Sequence, residues 1–245
     1  MEERDENRSG RVYGEEIMPY PKNPETVILK NKFYPKGLTE KDIWDHYQRV
    51  KTELLKQTVQ RDLFVYIMTD KGPIVKRKGQ DTEFIRLNPS NYDDVITGRT
   101  ISIHSTMRQY EDIGIIDIDT DDFRWAKQAC MDVVEISDDA LPFLSRVTVR
   151  YTGKTGFHVI CHFGKKIKID GIRFLLRKFL LESELGKKYT IEAKRRPGIP
   201  NLDLAPNKYR GGFITLHALS IMGLRCMEVD PWKVKDFNQQ KAIIK

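Results

Sequence analysis

The sequence contains few cysteines and no long apolar segment. Cys130, Cys161 and Cys226 are widely separated, and no Cys-x-x-Cys pair occurs. This spacing argues against a disulfide framework and against a structural zinc site, and it fits a reducing compartment. No apolar run approaches the roughly 18 residues of a membrane-spanning helix, and residues 1–8 lack the apolar core of a signal peptide. We therefore expect an intracellular, cytoplasmic protein with no membrane partner, associated with the nucleoid if the source is prokaryotic.

Positive charge is in excess. Across 245 residues, 42 Lys and Arg side chains outnumber 35 Asp and Glu side chains, which gives a formal net charge of +7. Such a surplus attracts polyanions, of which nucleic acid is the commonest large one, although many soluble enzymes carry a similar charge. The hydrophobic fraction of 40% and the aromatic fraction of 10% are typical of a folded globular protein. A chain of this length accommodates one or two domains.

Apolar periodicity predicts a mixture of helices and strands. Residues 1–22 are polar and contain glycine and proline, so we expect a flexible N-terminal arm, followed by a single domain over residues 23–245. Because strands and helices do not alternate strictly, we predict an α+β fold rather than a doubly wound sheet. The predicted helices cover residues 39–56, 123–136 and 171–185, and the predicted strands cover residues 27–35, 63–68, 74–78, 83–87, 100–105, 111–120, 147–151, 157–163, 201–204, 209–216 and 224–229.

An acidic pair stands at the end of residues 111–120. Four isoleucines predict a strand there, and alternate side chains of a strand point to the same face. Asp117 and Asp119 therefore share a face, with Cα atoms roughly 7 Å apart. Two carboxylates this close repel each other unless a cation lies between them, and their oxygens suit Mg²⁺. The alternative is a strand that simply ends in a polar loop, since Asp121 and Asp122 follow.

Three later features carry polar groups suited to phosphate or metal. The turn over residues 152–156 contains two glycines, two hydroxyls and Lys154, a composition that suits phosphate binding and equally an ordinary hairpin. His158 follows on a predicted strand, where a buried structural histidine is the alternative to a ligand. Asp203 lies between two leucines, so it faces away from them if they are buried, and it is otherwise a residue at a strand edge.

Taken in order, these motifs resemble those of the archaeo-eukaryotic primase superfamily. The sequence contains, in that family's order, an Asp-x-Asp pair, a Gly-x-x-Gly-x-His turn, and an Asp in an apolar strand. An Arg and a Ser-Leu-His-like tail follow, with Thr in place of the usual Ser. The resemblance implies a primase-like catalytic fold of mixed β-sheets flanked by helices, with residues 23–245 as one primase-polymerase domain. The matching residues are Asp117, Asp119, Gly153, Gly156, His158, Asp203, Arg210, Thr215-Leu216-His217 and Gly223-Leu224.

The N-terminal half is similar to the polymerase domain of bacterial ligase D and its archaeal stand-alone relatives. Residues 31–42 resemble the opening of that domain, and residues 101–104 resemble the strand that carries a nucleotide-contacting His. Glu40 stands where ligase D domains usually have Lys, and Lys41 comes one residue later. The cysteine spacing also lacks the zinc stem typical of replicative primase small subunits.

The resemblance implies a template-dependent nucleotidyltransferase that adds ribo- or deoxyribonucleotides to a nucleic-acid 3′ end by a two-metal mechanism. It implies two divalent ions, Mg²⁺ or Mn²⁺, an NTP or dNTP substrate, and a DNA template and primer, including 5′-phosphorylated gapped or broken DNA. A ligase, an end-binding protein or another replication protein is an expected partner. In these roles, Asp117, Asp119 and Asp203 would bind metal and act in catalysis, His104, Thr152, Lys154, His158, Arg210 and His217 would bind nucleotide, and Lys32, Lys36 and Lys41 would bind nucleic acid.

The sequence leaves two other function classes open. A metal-dependent nuclease also uses Asp pairs, and it would degrade labelled DNA without nucleoside triphosphates. A catalytically inactive DNA-end-binding module would keep the fold without turnover, although the presence of all three acidic residues argues against it. Within the family, gap filling in end-joining repair and primer synthesis both fit the sequence.

Overall fold

The computed structural model describes residues 21, 23–76, 84–193 and 198–244. The predicted N-terminal arm, residues 1–22, lies outside this range except for Pro21. No helix in the described ranges is both long enough and apolar enough to cross a membrane.

The described strands are β1 (Val27–Asn31), β2 (Tyr34–Thr39), β3 (Leu63–Thr69), β4 (Gly72–Lys76), β5 (Thr100–Thr106), β6 (Tyr110–Asp119), β7 (Leu144–Tyr151), β8 (Phe157–Lys168), β9 (Thr190–Ile191), β10 (Asn201–Asp203), β11 (Gly212–Ile214) and β12 (Met227–Val229). The described helices are α1 (Glu40–Arg49), α2 (Lys51–Thr58), α3 (Tyr92–Val95), α4 (Phe123–Ala140), α5 (Ile169–Glu182) and α6 (Leu185–Lys188), with two 3₁₀ helices at Pro231–Asp236 and Gln239–Ala242.

The strands form three sheets. β1 and β2 make a hairpin, a six-stranded sheet has the order β12-β7-β8-β6-β10-β9, and a four-stranded sheet has the order β11-β5-β3-β4. Neighbouring strands are antiparallel except β9 and β10, which are parallel. The predicted α+β class is therefore confirmed, because helices and mixed sheets occur without regular βαβ alternation.

Several predicted boundaries differ from the structure. The helix predicted over 39–56 is two helices, because Val50 leaves helical geometry between them, with φ −102° and ψ 10°. The strand predicted over 83–87 is wrong for the residues described there, because only Phe84 and Ile85 form bridges, Ile85 with Leu63. The strand predicted over 209–216 shortens to β11, since Arg210 adopts a left-handed backbone with φ +60° in the preceding turn.

Helices α4 and α5 cover one face of the six-stranded sheet. Gly114 on β6 permits the close approach of α5, because a Cβ there would lie 2.7 Å from Cγ2 of Ile172. On the α4 side, Phe123 stacks on Phe157 of β8 with ring centroids 5.8 Å apart. Since side chains alternate across a strand, this face includes the buried apolar residues Ile116 of β6 and Val159 of β8. The helix-covered face is therefore the main apolar core.

A buried ion cluster fixes the start of β6. Glu111 is fully buried and accepts hydrogen bonds from Arg61 Nη1 at 2.7 Å and Nη2 at 3.0 Å, and also from Arg108. Arg61 also donates to the carbonyl of Thr106, at the end of β5 in the four-stranded sheet. Burial alone would raise the pKa of Glu111, but these hydrogen bonds hold that pKa below its ordinary value. The cluster thus ties the two larger sheets together at one end.

Candidate active site

The strand register brings the three predicted acidic residues to one place. β6 pairs with β10 so that Asp117 lies opposite Asp203 and Asp119 lies opposite Asn201. β6 pairs with β8 so that Asp117 also lies opposite His158, whose Nε2 is 3.5 Å from Asp117 Oδ1. Because directly opposite residues of antiparallel strands project from the same face, Asp203, Asp117 and His158 form a row across three strands. This row lies on the face that α4 and α5 leave uncovered.

The acidic residues supply oxygen donors suited to a hard divalent ion, but the side chains do not close around one site. Oδ1 of Asp203 accepts a hydrogen bond of 2.8 Å from the backbone N–H of Ala205. Within the described residues, no group of three or more His, Cys, Asp or Glu side chains is arranged to hold a metal ion. The donor chemistry and the backbone register fit Mg²⁺ or Mn²⁺.

A pocket of about 440 Å³ lies between the six-stranded and four-stranded sheets, beside this row. Its walls come from β6, β8 and the turn before β8 on one side, and from β3, β5 and β11 on the other. The structure therefore gathers most of the predicted catalytic and nucleotide-binding residues around one cavity. The predicted residues that line it are His104, Asp117, Asp119, Thr152, Lys154 and His158.

The turn between β7 and β8 is built around its glycines. Gly153 has φ +87°, and a Cβ there would lie 2.5 Å from the carbonyl oxygen of Leu224. Its own carbonyl accepts a hydrogen bond of 2.5 Å from Ser220 Oγ. A Cβ at Gly156 would lie 2.4 Å from the carbonyl oxygen of Ile118. Both glycines are therefore needed for the turn to pack against β6 and against the loop over residues 220–224, called here the 220–224 loop.

Lys154 is positioned by two residues that the sequence did not single out. The hydroxyl of Tyr151 donates to the carbonyl of Lys154 at 2.7 Å. Nε2 of Gln239 donates to the Tyr151 hydroxyl at 2.9 Å and also to the Lys154 carbonyl. Phe237 packs against Tyr151 with ring centroids 4.9 Å apart and brings the second 3₁₀ helix to this position. No local motif marks Gln239, because its contact joins segments 85 residues apart.

The two histidines in the pocket are neutral. Burial, followed by the charge of Arg150 and the nearby His104, lowers the pKa of His158 to about 3. Burial lowers the pKa of His104 to about 4. His104 stacks on Phe64 at 4.9 Å, and its Nε2 lies 3.0 Å from Ser102 Oγ. At neutral pH these rings can therefore offer hydrogen bonds, but without bound ligand they carry no positive charge.

Two predicted nucleotide-binding residues are not among the residues that line the pocket. Arg210 lies over the ring of Phe84 at 4.2 Å, and its Nε is 3.4 Å from Asp62 Oδ2. The carbonyl of His217 accepts a hydrogen bond of 2.8 Å from His46 Nε2. Nucleotide contact by Arg210 and His217 therefore stays a prediction.

The predicted nucleic-acid-binding lysines lie around the β1–β2 hairpin. Lys32 is exposed in its turn, 5.0 Å above the ring of Phe33, Lys36 is exposed on β2, and Lys41 is exposed in α1. The hairpin is anchored to the 220–224 loop. Asn31 Nδ2 donates to the Met222 carbonyl at 3.1 Å, and the hydroxyl of Tyr34 donates to the Gly223 carbonyl at 2.8 Å. The lysines are not among the residues that line the pocket, but the hairpin that carries Lys32 and Lys36 is bonded to the loop that also supports the glycine turn. Their contact with nucleic acid stays a prediction.

Comparison with known proteins gives a structural match and no sequence match. No protein-family model and no curated protein sequence matches the chain. The structure is similar to the polymerase domain of Mycobacterium tuberculosis ligase D in complex with DNA, with a TM-score of 0.72 over 88% of each chain. The chain has the archaeo-eukaryotic primase-like fold. The identity of 13% in this match means that the similarity concerns the fold alone.

A second structure with similarity to this primase-like fold is the AEP domain of the cyanophage S-2L primase-polymerase. The two chains are 12% identical, with 80% of this chain and 96% of that chain covered. Their TM-score of 0.42 is too low to support a common fold by itself. Both neighbours are polymerase or primase-polymerase domains, and the predicted primase-like fold class is confirmed by the first.

Proposed function

We propose that this chain is a template-dependent nucleotidyltransferase, a primase-polymerase that adds ribo- or deoxyribonucleotides to a nucleic-acid 3′ end. The observation that carries the proposal is the row of Asp203, Asp117 and His158 across three strands, next to a pocket lined in part by the glycine turn. The match to the ligase D polymerase domain supports it at the level of fold. In this proposal residues 23–245 act as one catalytic domain.

The carboxylates of Asp117, Asp119 and Asp203 would hold two divalent ions, Mg²⁺ or Mn²⁺. Such ions, when bound, neutralise charge on the transferred phosphoryl group and on the leaving pyrophosphate. Without a cation, the carboxylates of Asp117 and Asp203 lie opposite each other on neighbouring strands, where like charges destabilise a sheet. This unfavourable pairing supports a role in cation binding over a purely structural role.

The glycine turn and the histidines would bind the nucleotide. A cavity of about 440 Å³ falls within the range of small-molecule sites. Lys154 supplies positive charge and Thr152 supplies a hydroxyl at the wall of the pocket. His158 and His104, neutral in the free protein, supply N–H donors. Positioning of this kind provides most of the catalysis in phosphoryl transfer.

The nucleic acid would approach along the side of the β1–β2 hairpin. Lys32, Lys36 and Lys41 lie there, and the net charge of +7 favours binding to a phosphate backbone. We propose DNA template and primer as the partner, with 5′-phosphorylated gapped or broken DNA as the form used in end-joining repair. Primer synthesis is the other proposed role, with a ligase, an end-binding protein or another replication protein as a second partner.

Extension of a labelled primer tests the proposed function. Recessed, gapped and unprimed templates are each incubated with NTPs or dNTPs and with Mg²⁺ or Mn²⁺. We expect template-directed extension that Asp119→Asn abolishes and that Asp112→Asn, an exposed residue on the same strand, leaves intact. Preference for a 5′-phosphorylated gap indicates repair, and a dinucleotide on an unprimed template indicates priming.

Two results of the same experiment contradict the proposal. Loss of labelled DNA without any need for nucleoside triphosphates identifies a nuclease. Tight binding to DNA ends with no extension under any combination of metal and nucleotide identifies an inactive end-binding module.

A further inference from the structure

Asn207 is a buried polar residue that is not among the residues lining the pocket. It lies in the turn between β10 and β11 and is fully buried. Its Oδ1 accepts a hydrogen bond of 2.8 Å from the backbone N–H of Ile115, and its Nδ2 donates to the carbonyl of the same residue. Nδ2 also donates to the carbonyl of Leu204 at 3.3 Å. One amide side chain therefore makes the pair of hydrogen bonds that a neighbouring strand would make with β6.

This amide continues a short strand pairing. β10 pairs with β6 over three residues, and Asp203 opposite Asp117 is the last pair. A longer strand would next bring Ala205 opposite Ile115, but the chain turns away after Asp203, where the backbone N–H of Ala205 donates to Asp203 Oδ1 at 2.8 Å. Alternate residues of a strand direct their backbone groups to the same neighbour, so Ile115 faces the same edge as Asp117. Asn207 supplies the partner for Ile115 at that edge.

The position of Asp203 depends on this contact. The last pair of a short strand pairing opens easily, because few hydrogen bonds hold it. Asp203 belongs to that last pair, and the carboxylate of Asp117 opposite it adds a repulsion between like charges. Asn207 fastens the chain four residues after Asp203 to the backbone two residues before Asp117. The hydrogen bonds between Asn207 and Ile115 therefore keep the two carboxylates side by side.

We propose that Asn207 is a positioning residue that holds the carboxylates of Asp117 and Asp203 ready for a divalent cation. The inference rests on the proposed function, in which both carboxylates bind metal. A site that is formed before the cation arrives loses less free energy in ordering its ligands when the cation binds. Residues that orient metal ligands without touching the metal commonly change metal affinity by about 10- to 100-fold when they are substituted. A purely structural Asn207 would instead affect stability and leave the cation affinity of the folded molecules unchanged.

Titration of the full chain with Mn²⁺, without nucleotide or nucleic acid, tests this role. Electron paramagnetic resonance measures the free ion, and urea denaturation of the same samples measures stability. We expect Asn207→Ala to weaken Mn²⁺ binding by about tenfold or more. Asn207→Ser is the milder variant, because its hydroxyl keeps a polar group in the turn and replaces at most one of the two hydrogen bonds to Ile115. Circular dichroism confirms that each variant is folded before it is titrated.

Asp203→Asn and Tyr92→Phe separate positioning from a general effect on the fold. Because Asn207 acts through Asp203, Asn207→Ala should weaken Mn²⁺ binding little further in a chain that already carries Asp203→Asn. Tyr92→Phe is the matched control, since the hydroxyl of Tyr92 donates a buried hydrogen bond of 2.7 Å to the carbonyl of Tyr47 and Tyr92 does not line the pocket. We expect this control variant to be less stable and to bind Mn²⁺ as the unsubstituted chain does.

Two outcomes overturn the inference alone. One is unchanged Mn²⁺ affinity in the folded Asn207→Ala and Asn207→Ser variants, together with weakened binding in Asp203→Asn. The other is a full additional loss of affinity when Asn207→Ala is combined with Asp203→Asn, which shows that Asn207 acts independently of that carboxylate. Failure of the unsubstituted chain to bind Mn²⁺, or unchanged binding in Asp203→Asn, contradicts the metal site of the proposed function, and the inference falls with it.

Discussion

The two faces of the six-stranded sheet differ in how completely their groups are paired. The face under α4 and α5 is apolar and closely packed, as the contact of Gly114 with Ile172 shows. The opposite face carries two carboxylates in direct opposition, Asp117 and Asp203, and buried nitrogens without partners on Arg150 and His158. The first face stabilises the fold. The second face contains opposed carboxylates and unpartnered nitrogens, whose unfavourable energy a bound ligand can reduce.

Asp117→Asn should separate activity from stability most strongly. We expect primer extension to fall by a factor on the order of 10² or more, because a ligand for the cation is lost. The melting temperature should stay the same or rise, since the repulsion between Asp117 and Asp203 is removed. Extension assays and thermal denaturation of the same preparation measure both effects. A clear fall in melting temperature with full activity would make Asp117 a structural residue.

Glu111→Gln should have the largest effect on stability alone. The substitution leaves the largely buried Arg61 against a neutral group, and breaking a buried ion pair costs about 3 kcal/mol or more. Because the pKa of Glu111 is lower in the folded protein, its stabilisation is present above the unfolded pKa and is lost as pH falls through the folded pKa. Urea denaturation at neutral and acidic pH measures this. Asp112→Asn, at the exposed neighbouring residue, should show neither effect.

Gly114→Ala should destabilise the helix-covered face. The new Cβ would lie 2.7 Å from Cγ2 of Ile172 and 2.8 Å from Cδ1 of Leu176, so α5 must shift, at about 1–3 kcal/mol. Gly164→Ala on β8 is the control, because a Cβ there meets no atom within 4 Å. Activity per folded molecule should be unchanged in both variants. Equal unfolding midpoints for the two would contradict the close packing of α5 against β6.

Gln239→Ala should give the smallest effect, confined to nucleotide binding. The variant loses the hydrogen bonds to Tyr151 and to the Lys154 carbonyl, so we expect the KM for nucleotide to rise by about threefold to tenfold. The value of kcat should change little. If the amide donor is what matters, the KM for nucleotide should rise more in Gln239→Glu than in Gln239→Asn. Gln240→Ala, at the exposed neighbour, should behave as the unsubstituted protein. A fall in kcat with an unchanged KM would contradict the positioning role.

The sequence predicted which side of a strand a residue occupies better than it predicted which strands pair with each other. Alternation alone placed Asp117 and Asp119 on one side of a strand. The helix predicted from residue 39 does begin there, with Thr39 as its N-cap and Asp42 closing a capping box. The register that sets Asp203 opposite Asp117 joins segments far apart in the chain, and no local pattern encodes it. Only the resemblance in motif order suggested that Asp203 belongs with the pair.

The contacts that the sequence did not indicate are long-range or depend on burial. Gln239 reaches Lys154 through a tertiary contact, and Arg150 is notable only because its buried nitrogen has no partner. The predicted strand over 83–87 shows the opposite error. Its alternating composition suits a strand, but the part that the structure describes forms bridges only at Phe84 and Ile85. A segment forms a strand only where another strand is available to pair with it, and the composition of the segment does not indicate whether one is.

The 220–224 loop gives two separate regions a shared support. Ser220 holds the glycine turn at Gly153, while the carbonyls of Met222 and Gly223 hold the hairpin that carries Lys32 and Lys36. A ligand that orders this loop from one side leaves less conformational entropy for a ligand on the other side to remove. In the proposed function, the nucleic acid and the nucleotide should then strengthen each other's binding by the same factor, as thermodynamic reciprocity requires.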